Sequence, residues 1–405
     1  MVFPILGANT ESAAYDISNS IRMDDGDNPK LSRSISSSGS ARNATLSVWI
    51  KRGNFGSRQQ IYSNKTASAS FSGMNMYFDG STDRLYIDHH DGSSNISLYT
   101  NQVFRDPSAW YHIVHAIDTT TGTATNRLRL YINGEEVTDF ATDQNPSQNA
   151  DLAITNSTGD QSIGDDPRDS SDLFDGYMAE YNFVDGTTLD PTYFGETNSN
   201  GVWVPKEPDV SSYGTNGFFL EFKQTGTSAN SSGMGADTSG NDNHFSVTGL
   251  TAAEITTDTP TNNFCTWNPL FTNQRGTFQY GNTYFTTSVQ GSVPYGQNAF
   301  GNIAVNKGKW YCEFRINAVG SGGTLAVGWN ERAEDGSYIN GHNNLGSSGN
   351  TWYGSTNGEI RVGSSSGTNT TSYTDDDIIG VAIDLDNNKI HFHKNGSYQR
   401  SSDPA

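Results

Sequence analysis

The sequence predicts an all-β protein: two antiparallel β-sandwiches joined by a polar linker. Three observations predict it. Aromatic residues make up 11% of the 405 residues while charged residues reach only 17%, against an ordinary share of about 25%. That mixture suits thin sandwiches with aromatic cores and long polar loops, not helical bundles. The 44 acids include only 12 Glu, leaving 32 Asp, and Asp favours turns where Glu favours helices. Apolar and polar residues also alternate in short runs closed by Gly, Asn and Asp, the period of half-buried strands. The aromatic content speaks against a disordered chain, and no apolar run approaches the ~20 residues of a membrane span.

The elements follow in order. TLSVWIK (45–51) alternates, with Leu46, Val48 and Ile50 on one side and Trp49 on the other. MNMYFDG (74–80) and DRLYIDHHDG (83–92) alternate and close in Gly-containing turns, and WYHIVHAID (110–118) and RLRLYINGEEV (127–137) follow. Asn133-Gly134 predicts a two-residue hairpin, because a type I′ turn needs positive φ at both central positions. DGYMAEYNFVDG (175–186) is a further strand. DPTYFGE (190–196) reads as a short helix with Asp190 as N-cap and Pro191 at its first position. From 223 to 276 the composition turns to Ser, Thr, Asn and Gly, which predicts a connection without a core of its own.

A second strand series occupies 277–405: KGKWYCEFRI (307–316), GTLAVGWN (323–330), GEIRVGS (358–364) and DDIIGVAIDLDNNKIHFHKNGSY (376–398). The halves echo one another. Ala116-Ile117-Asp118 precedes the hairpin at Asn133-Gly134, and Ala382-Ile383-Asp384 precedes the one at Asn395-Gly396. Two sandwiches of related design are expected, over 1–222 and 277–405.

WYHIVHAIDTTTGTATNRLRLYINGEEV resembles the central strands of LamG-type, concanavalin A-like modules, and the resemblance covers roughly 1–222. DTSGNDNHFSVTG (237–249) is similar to a signature that often accompanies them. KWYCEFRI, AVGWN and GVAIDLDNNKIHFHKNG resemble a SPRY domain over about 277–405. SPRY domains normally carry further strands after the KNG hairpin, where this sequence ends in SSDPA. A fragment, an open sheet edge, or an edge filled by another chain would each fit. The start AYDISNSIRMDDGDNPKLSRSISSSGSARNATLSVWIKRGN, with TNQVFRDPSAWYHIV, DGYMAEYNFVDGTTLDPTYFGET and TPTNNFCTWNPL, resembles virion proteins of tailed bacteriophages from aquatic hosts. The resemblance implies a tail-associated or surface appendage protein, with other virion proteins and a host-surface glycan or receptor as partners.

Charge narrows the functions. The net charge of −20 repels nucleic acid and anionic membranes, so neither nucleic-acid binding nor membrane insertion is expected. The start MVFPILGANTESAA lacks a basic n-region and an adequate apolar core, so synthesis in the host cytoplasm and delivery to the virion are expected. A homo-oligomer fits a phage appendage, without a heptad repeat to set its order. Cys265 and Cys312 offer no metal spacing and read as buried thiols. Glycan hydrolysis needs two carboxylates about 5–10 Å apart, on one strand as in E-x-D-x-x-E, and no such run occurs. Glu331, Glu334 and Asp335 read as a solvated loop, and Glu135 and Glu136 face opposite ways on a strand. No nucleophile elbow, P-loop or zinc spacing is present, so the chain reads as a non-enzyme.

The candidate sites are on loops. In DDPRDSSDLFDG (165–176), Asp165, Asp166 and Asp169 could converge on Ca²⁺, a cation that takes carboxylate and carbonyl oxygens. LamG-type resemblance adds the same cofactor, and a hydrated loop that only supplies solubility is the alternative. Asp237, Asn241 and Asn243 could likewise hold a cation or only make Asx-turns. His391 and His393 share a strand face but have no third ligand in view. Aromatic and amide side chains between GWN and EIRVG (Tyr338, Asn340, His342, Asn343, Asn344, Trp352 and Tyr353) form the candidate ligand-binding loop. Sugar rings stack on aromatics while amides take hydroxyls, although core packing is an equal reading for Trp352 and Tyr353.

Overall fold

The computed structural model describes residues 15–65, 73–90, 95–154, 159–167, 172–272, 276–287, 299–320, 325–330, 350–362 and 367–401. The chain forms two units. Among the described residues, one comprises 15–270 together with 278–285, and the other takes 271–277 and those from 286 onward.

The first unit is a sandwich of two antiparallel sheets of eight strands each among the described residues. In sheet I the order is Glu135–Glu136, Leu128–Ile132, Tyr111–Asp118, Asn43–Arg52, Gly176–Asp185, Ser20–Met23 and Ile255–Thr256. Phe218–Leu220 also pairs with Gly176–Asp185. In sheet II it is Phe140–Asp143, Asn95–Val103, Arg84–His90, Asn75–Phe78, Gln59–Lys65, Asp160–Ile163, Lys30–Ser34 and Ser246–Thr248.

Alternation builds the core. Leu46, Val48 and Ile50 of sheet I meet Met76, Phe78, Leu85, Ile87 and Leu98 of sheet II, all essentially without exposure. The out-of-phase residues of sheet I are also buried, under two further apolar clusters on its outer face. One joins Val114, Ala116, Tyr131 and Val184 to Leu189, Phe194 and Tyr213. The other joins Trp49, Trp110, Tyr177 and Ala179 to Ile17, with Trp203 packed against it. His112 stacks on Trp49 at 4.6 Å between ring centres and on Trp203 at 6.0 Å. Its two nitrogens meet Ser47 at 2.9 Å and the Trp203 indole N–H at 3.0 Å. Burial pushes its pKa down to about 3, so the ring is neutral. The Asn133-Gly134 turn forms as expected, with φ of 50° and 82°. A Cβ at Gly134 would stand 2.4 Å from the Trp203 ring, so packing and turn both require glycine there. The predicted helix at 190 is a single 3-10 turn, Pro191–Tyr193, capped by Asp190 on the Thr192 N–H.

The expected linker over 223–276 is corrected. Residues 223–270 belong to the first unit: Met234, Phe245 and Leu250 enter its core, and Ser246–Thr248 and Ile255–Thr256 add an edge strand to each sheet. Hydrogen bonds do what its sparse apolar residues cannot. Asp237 accepts from the backbone N–H groups of Phe219, Ser239 and Asn243 at 2.8–2.9 Å. The amides of Asn241 and Asn243 donate to the carbonyls of Gly214, Thr215 and Gly217. The signature therefore orders a turn, with all three side chains committed to backbone. Farther on, Lys51 is fully buried and its ammonium donates to Asp258 Oδ2 (2.9 Å), Asn263 Oδ1 (2.8 Å) and the Phe264 carbonyl (2.8 Å). The Trp110 indole donates to the other Asp258 oxygen.

In the second unit, the antiparallel sheet Lys309–Arg315, Ile378–Asp384, Lys389–Lys394, Ser397–Tyr398 accompanies a second, Ala326–Asn330, Asn350–Gly354, Glu359–Val362, Thr368–Asn369. Ile316, Tyr353, Ile360, Tyr373, Ile379, Val381 and Phe392 form its core. The Asn395-Gly396 turn has φ of 49° and 80°, the same hairpin as in the first unit. Cys265 and Cys312 form no disulfide and are half-buried, less enclosed than expected.

Removing one partner of a buried ion pair leaves the other charge uncompensated, so Lys51→Ala is expected to cost about 3–5 kcal/mol. Lys51→Met combined with Asp258→Leu should recover only part of that loss, because the Trp110 indole N–H and the Phe264 carbonyl lose their partners. Urea and thermal denaturation of the full chain measure both, and wild-type stability in Lys51→Ala would remove the ion pair as the anchor of residues 257–264.

Candidate functional site

The two faces of the first sandwich differ. Sheet I is covered outside by its two apolar clusters. Sheet II turns Met76, Phe78, Leu85, Ile87, Ile96 and Leu98 inward, so period-2 geometry sends Tyr77, Tyr86, Asp88, Ser97 and Tyr99 outward. Register then lines them up. Tyr77 pairs with Tyr86 and Tyr86 with Tyr99, making a tyrosine row across three strands. Asn75 pairs with Asp88 and Asp88 with Ser97, making a polar row beside it.

Asp88 fixes the geometry. Its Oδ1 accepts from the Ser97 hydroxyl at 2.6 Å and the Tyr99 phenol at 3.0 Å, and its Oδ2 from the Tyr77 phenol at 3.2 Å. Tyr86 stacks on Tyr99 at 3.8 Å between ring centres and meets Tyr77 edge-on at 5.5 Å. The Arg58 guanidinium lies 3.6 Å from the Tyr77 ring centre and pairs with Asp172 at 3.2 Å. Burial, reinforced by the Asp88 charge, holds the Tyr77 and Tyr99 phenols above their ordinary pKa, so they act as hydrogen-bond donors at neutral pH. Tyr86 and Tyr99 keep partial exposure, as do Arg84 and His90 on the same face. The face therefore offers aromatic carbon beside a carboxylate, hydroxyls and a cation, all on rigid strands.

The residues singled out on loops fare differently. Tyr353 is 0% exposed, wedged between Tyr373 and Phe392, with its hydroxyl on the Thr371 carbonyl. Trp352, on the opposite strand face, is 6% exposed beneath Arg361. Both belong to the interior, a correction with a simple cause: neighbours on a strand that is covered on both sides are both buried. Tyr338, Asn343 and Asn344, like Asn340, His342, Glu331, Glu334 and Asp335, lie outside the described residues. Asp165 and Asp166 are buried, and Asp165 has an internal counter-ion in Lys30 at 3.2 Å. Asp169 lies outside the described residues, and the structure does not gather Asp165 and Asp166 with a third acid among those described. His393 is held against Tyr311 and is largely buried, while His391 stays partly exposed, so the pair is not a free chelate.

The tyrosine row had a sequence signal. Tyr77, Tyr86 and Tyr99 fall on the polar phase of three successive strands, where an aromatic residue has no core to enter.

One carboxyl is strongly perturbed. A bulge between Ala179 and Asn182 places Glu180 at φ 48°, with the Tyr15 phenol on its Oε1 at 3.1 Å. Burial first, then the Glu221 charge, pushes its pKa up to about 8.

Residues 25–191 match a family described as the concanavalin A-like lectin/glucanases superfamily, and residues 309–402 match the SPRY domain. No curated protein matches the sequence. Among solved structures the chain is similar to a native heptameric SAP-like pentraxin of Limulus polyphemus, at 18% identity over 44% of this chain and 80% of that one, TM-score 0.31. A CBM40 of the Ruminococcus gnavus IT-sialidase, bound to alpha2,3 sialyllactose, is 13% identical over 40% and 91%, TM-score 0.27. Domains LG4-5 of the mouse laminin alpha1 chain are 11% identical over 97% and 80%, TM-score 0.33. None of these three likenesses bears on function.

The raised Glu180 pKa has a pH signature. Folding favours its protonated form, so its contribution is complete below the ordinary value of 4.5 and is lost as pH rises toward about 8. The slope attributable to this one group is at most about 1.4 kcal/mol per pH unit. Glu180→Gln should flatten the decline in stability over that interval and melt higher than wild type at the alkaline end. Parallel pH–stability curves for the two proteins would exclude Glu180 as the titrating group.

Proposed function

We propose that this chain is a non-catalytic recognition protein of a tailed-phage particle, an adsorption appendage that holds host-surface glycan on the outer face of sheet II. The observation that carries the reading is the row Tyr77–Tyr86–Tyr99 with Asp88 and Ser97 beside it. Pyranose rings present C–H faces that pack on aromatic carbon, and their hydroxyls are met by carboxylate, hydroxyl and guanidinium groups. The family match over 25–191 adds a fold that carries lectins, as its description states. The net charge of −20 disfavours long polyanionic polysaccharides, so the ligand is a neutral glycan. The assignment to a particle surface, with other virion proteins as neighbours, is supported by the sequence resemblance of the chain's opening segments to phage virion proteins. Synthesis belongs to the host cytoplasm.

A glycan array and a host-cell binding assay with the full chain test this. Wild type should bind a neutral glycan, and Tyr86→Ala should lose about 1–2 kcal/mol of affinity, roughly 5–30-fold. Near-ultraviolet circular dichroism reads the folding of the variant. Absence of glycan and cell binding by the wild-type chain would instead favour a purely architectural role in the particle.

A further inference from the structure

Three strands of sheet I end together at one place. Met23 pairs with Gly176, and Gly176 pairs with Arg52 on its other side. The residues just beyond these pairs therefore meet: Asp24 and Asp25 after the first strand, Asp175 before the second, and Gly53-Asn54 after the third. One carboxylate oxygen from each of Asp24, Asp25 and Asp175 lies within 4.8 Å of the others.

Clustered acids alone prove nothing, since turns and solvent accommodate them. Asp175 adds an independent observation. It is 6% exposed, and its Oδ1 is buried without any hydrogen-bond partner. That oxygen presses toward Gly53, where a Cβ would stand 2.1 Å away, so the chain leaves no side chain between them. The neighbouring groups engage other atoms. Asp24 accepts from the Gly26 N–H with Oδ1 (2.9 Å) and from the Tyr280 N–H with Oδ2, and Asp25 Oδ2 accepts from the Asn54 amide at 3.4 Å. Of the cations close by, Arg52 gives its Nε and Nη1 to Gln59, Asp83 and the Phe104 carbonyl and acts on Asp175 through space, and Arg22 pairs with Glu254. Among the described residues, none of the three carboxylates forms an ion pair.

We propose that Asp24, Asp25 and Asp175 form a calcium site that fastens the ends of these three strands. Oxygens sharing one Ca²⁺ at 2.3–2.6 Å stand up to about 5 Å apart, which matches the spread of this group. Calcium also tolerates irregular, partly protein-built shells, whereas Mg²⁺ demands near-ideal octahedra at about 2.0–2.1 Å and keeps its waters. The residues differ from Asp165, Asp166 and Asp169, and the site is independent of glycan recognition on sheet II.

The test uses the full chain stripped with EDTA and titrated by calorimetry at neutral pH with CaCl₂, and separately with MgCl₂, alongside thermal melts. The expected result is one saturable calcium per chain, a rise in melting temperature, and weaker response to magnesium. Asp175→Asn and Asp25→Asn should each weaken binding by at least about tenfold, the smallest loss typical even of outer-shell partners. Asp166→Asn should leave it unchanged. Asp25 is half-buried, so its variant keeps the test sound if Asp175→Asn fails to fold. No saturable uptake at millimolar calcium would overturn the proposal. Undiminished uptake in Asp25→Asn would overturn it too, placing the ion elsewhere.

Discussion

Sheet I is buried on both faces, and much of the first unit follows from that constraint. Every residue of Gly176–Asp185 is buried, and all of Asn43–Arg52 but its first. A strand in that position cannot follow a simple in/out alternation of apolar and polar groups. Its outward positions must be apolar, as Trp49, Val114 and Ala116 are, or polar with every bond accounted for. Lys51 is the extreme case: three oxygens from the 257–264 segment surround its ammonium. Without that segment a lysine in this place would be an unpaired buried charge, so the polar stretch and the sheet require one another. The same logic leaves the outer face of sheet II as the one that carries half-exposed aromatics.

Strand alternation was legible because it is local. Leu46, Val48 and Ile50 against Trp49, and both Asn-Gly hairpins, needed only period-2 patterning and turn chemistry. The role of 223–270 was not legible, because composition reports apolar content and this segment is held mainly by hydrogen bonds. Asp237, Asn241 and Asn243 look in sequence like any solvated turn. Their partners lie 18 to 27 residues away at Phe219, Gly214 and Gly217, and only the fold brings them near. Trp352 and Tyr353 show the opposite error. A Gly-rich neighbourhood made them look like loop residues, whereas cross-strand pairing with Gly328 and Val327 makes them interior.

The excess of Asp over Glu also reads differently in three dimensions. Several of these carboxylates are not a diffuse field but short-range acceptors. Asp79 caps Ser81 and Thr82, Asp106 caps Ser108, Asp118 caps Thr120 and Asp190 caps Thr192. A short side chain reaches backbone N–H groups two residues on, and Glu is too long to do so without losing the turn. Against that background Asp175 stands out because one of its oxygens has no such N–H to accept from. Residue counts could not distinguish fully bonded acids from those, Asp175 among them, that keep a buried oxygen without a hydrogen-bond partner.

A recognition surface built on strands differs in cost from one built on loops. Binding immobilises rotamer-rich side chains at about 0.5–1.5 kcal/mol each, and a mobile loop adds backbone ordering. Here Asp88 has already fixed the Tyr77 and Tyr99 phenols, and the Tyr86–Tyr99 stack restricts both rings before any ligand arrives. Little conformational freedom is left to lose on that face. If the face binds glycan as proposed, the same rigidity limits the range of shapes it can accept, since rings locked by a shared carboxylate cannot turn to follow a different ligand. Variation in specificity on this scaffold would therefore come from what surrounds the row, Arg84, His90 and the neighbouring loops, while the row itself supplies a fixed aromatic floor.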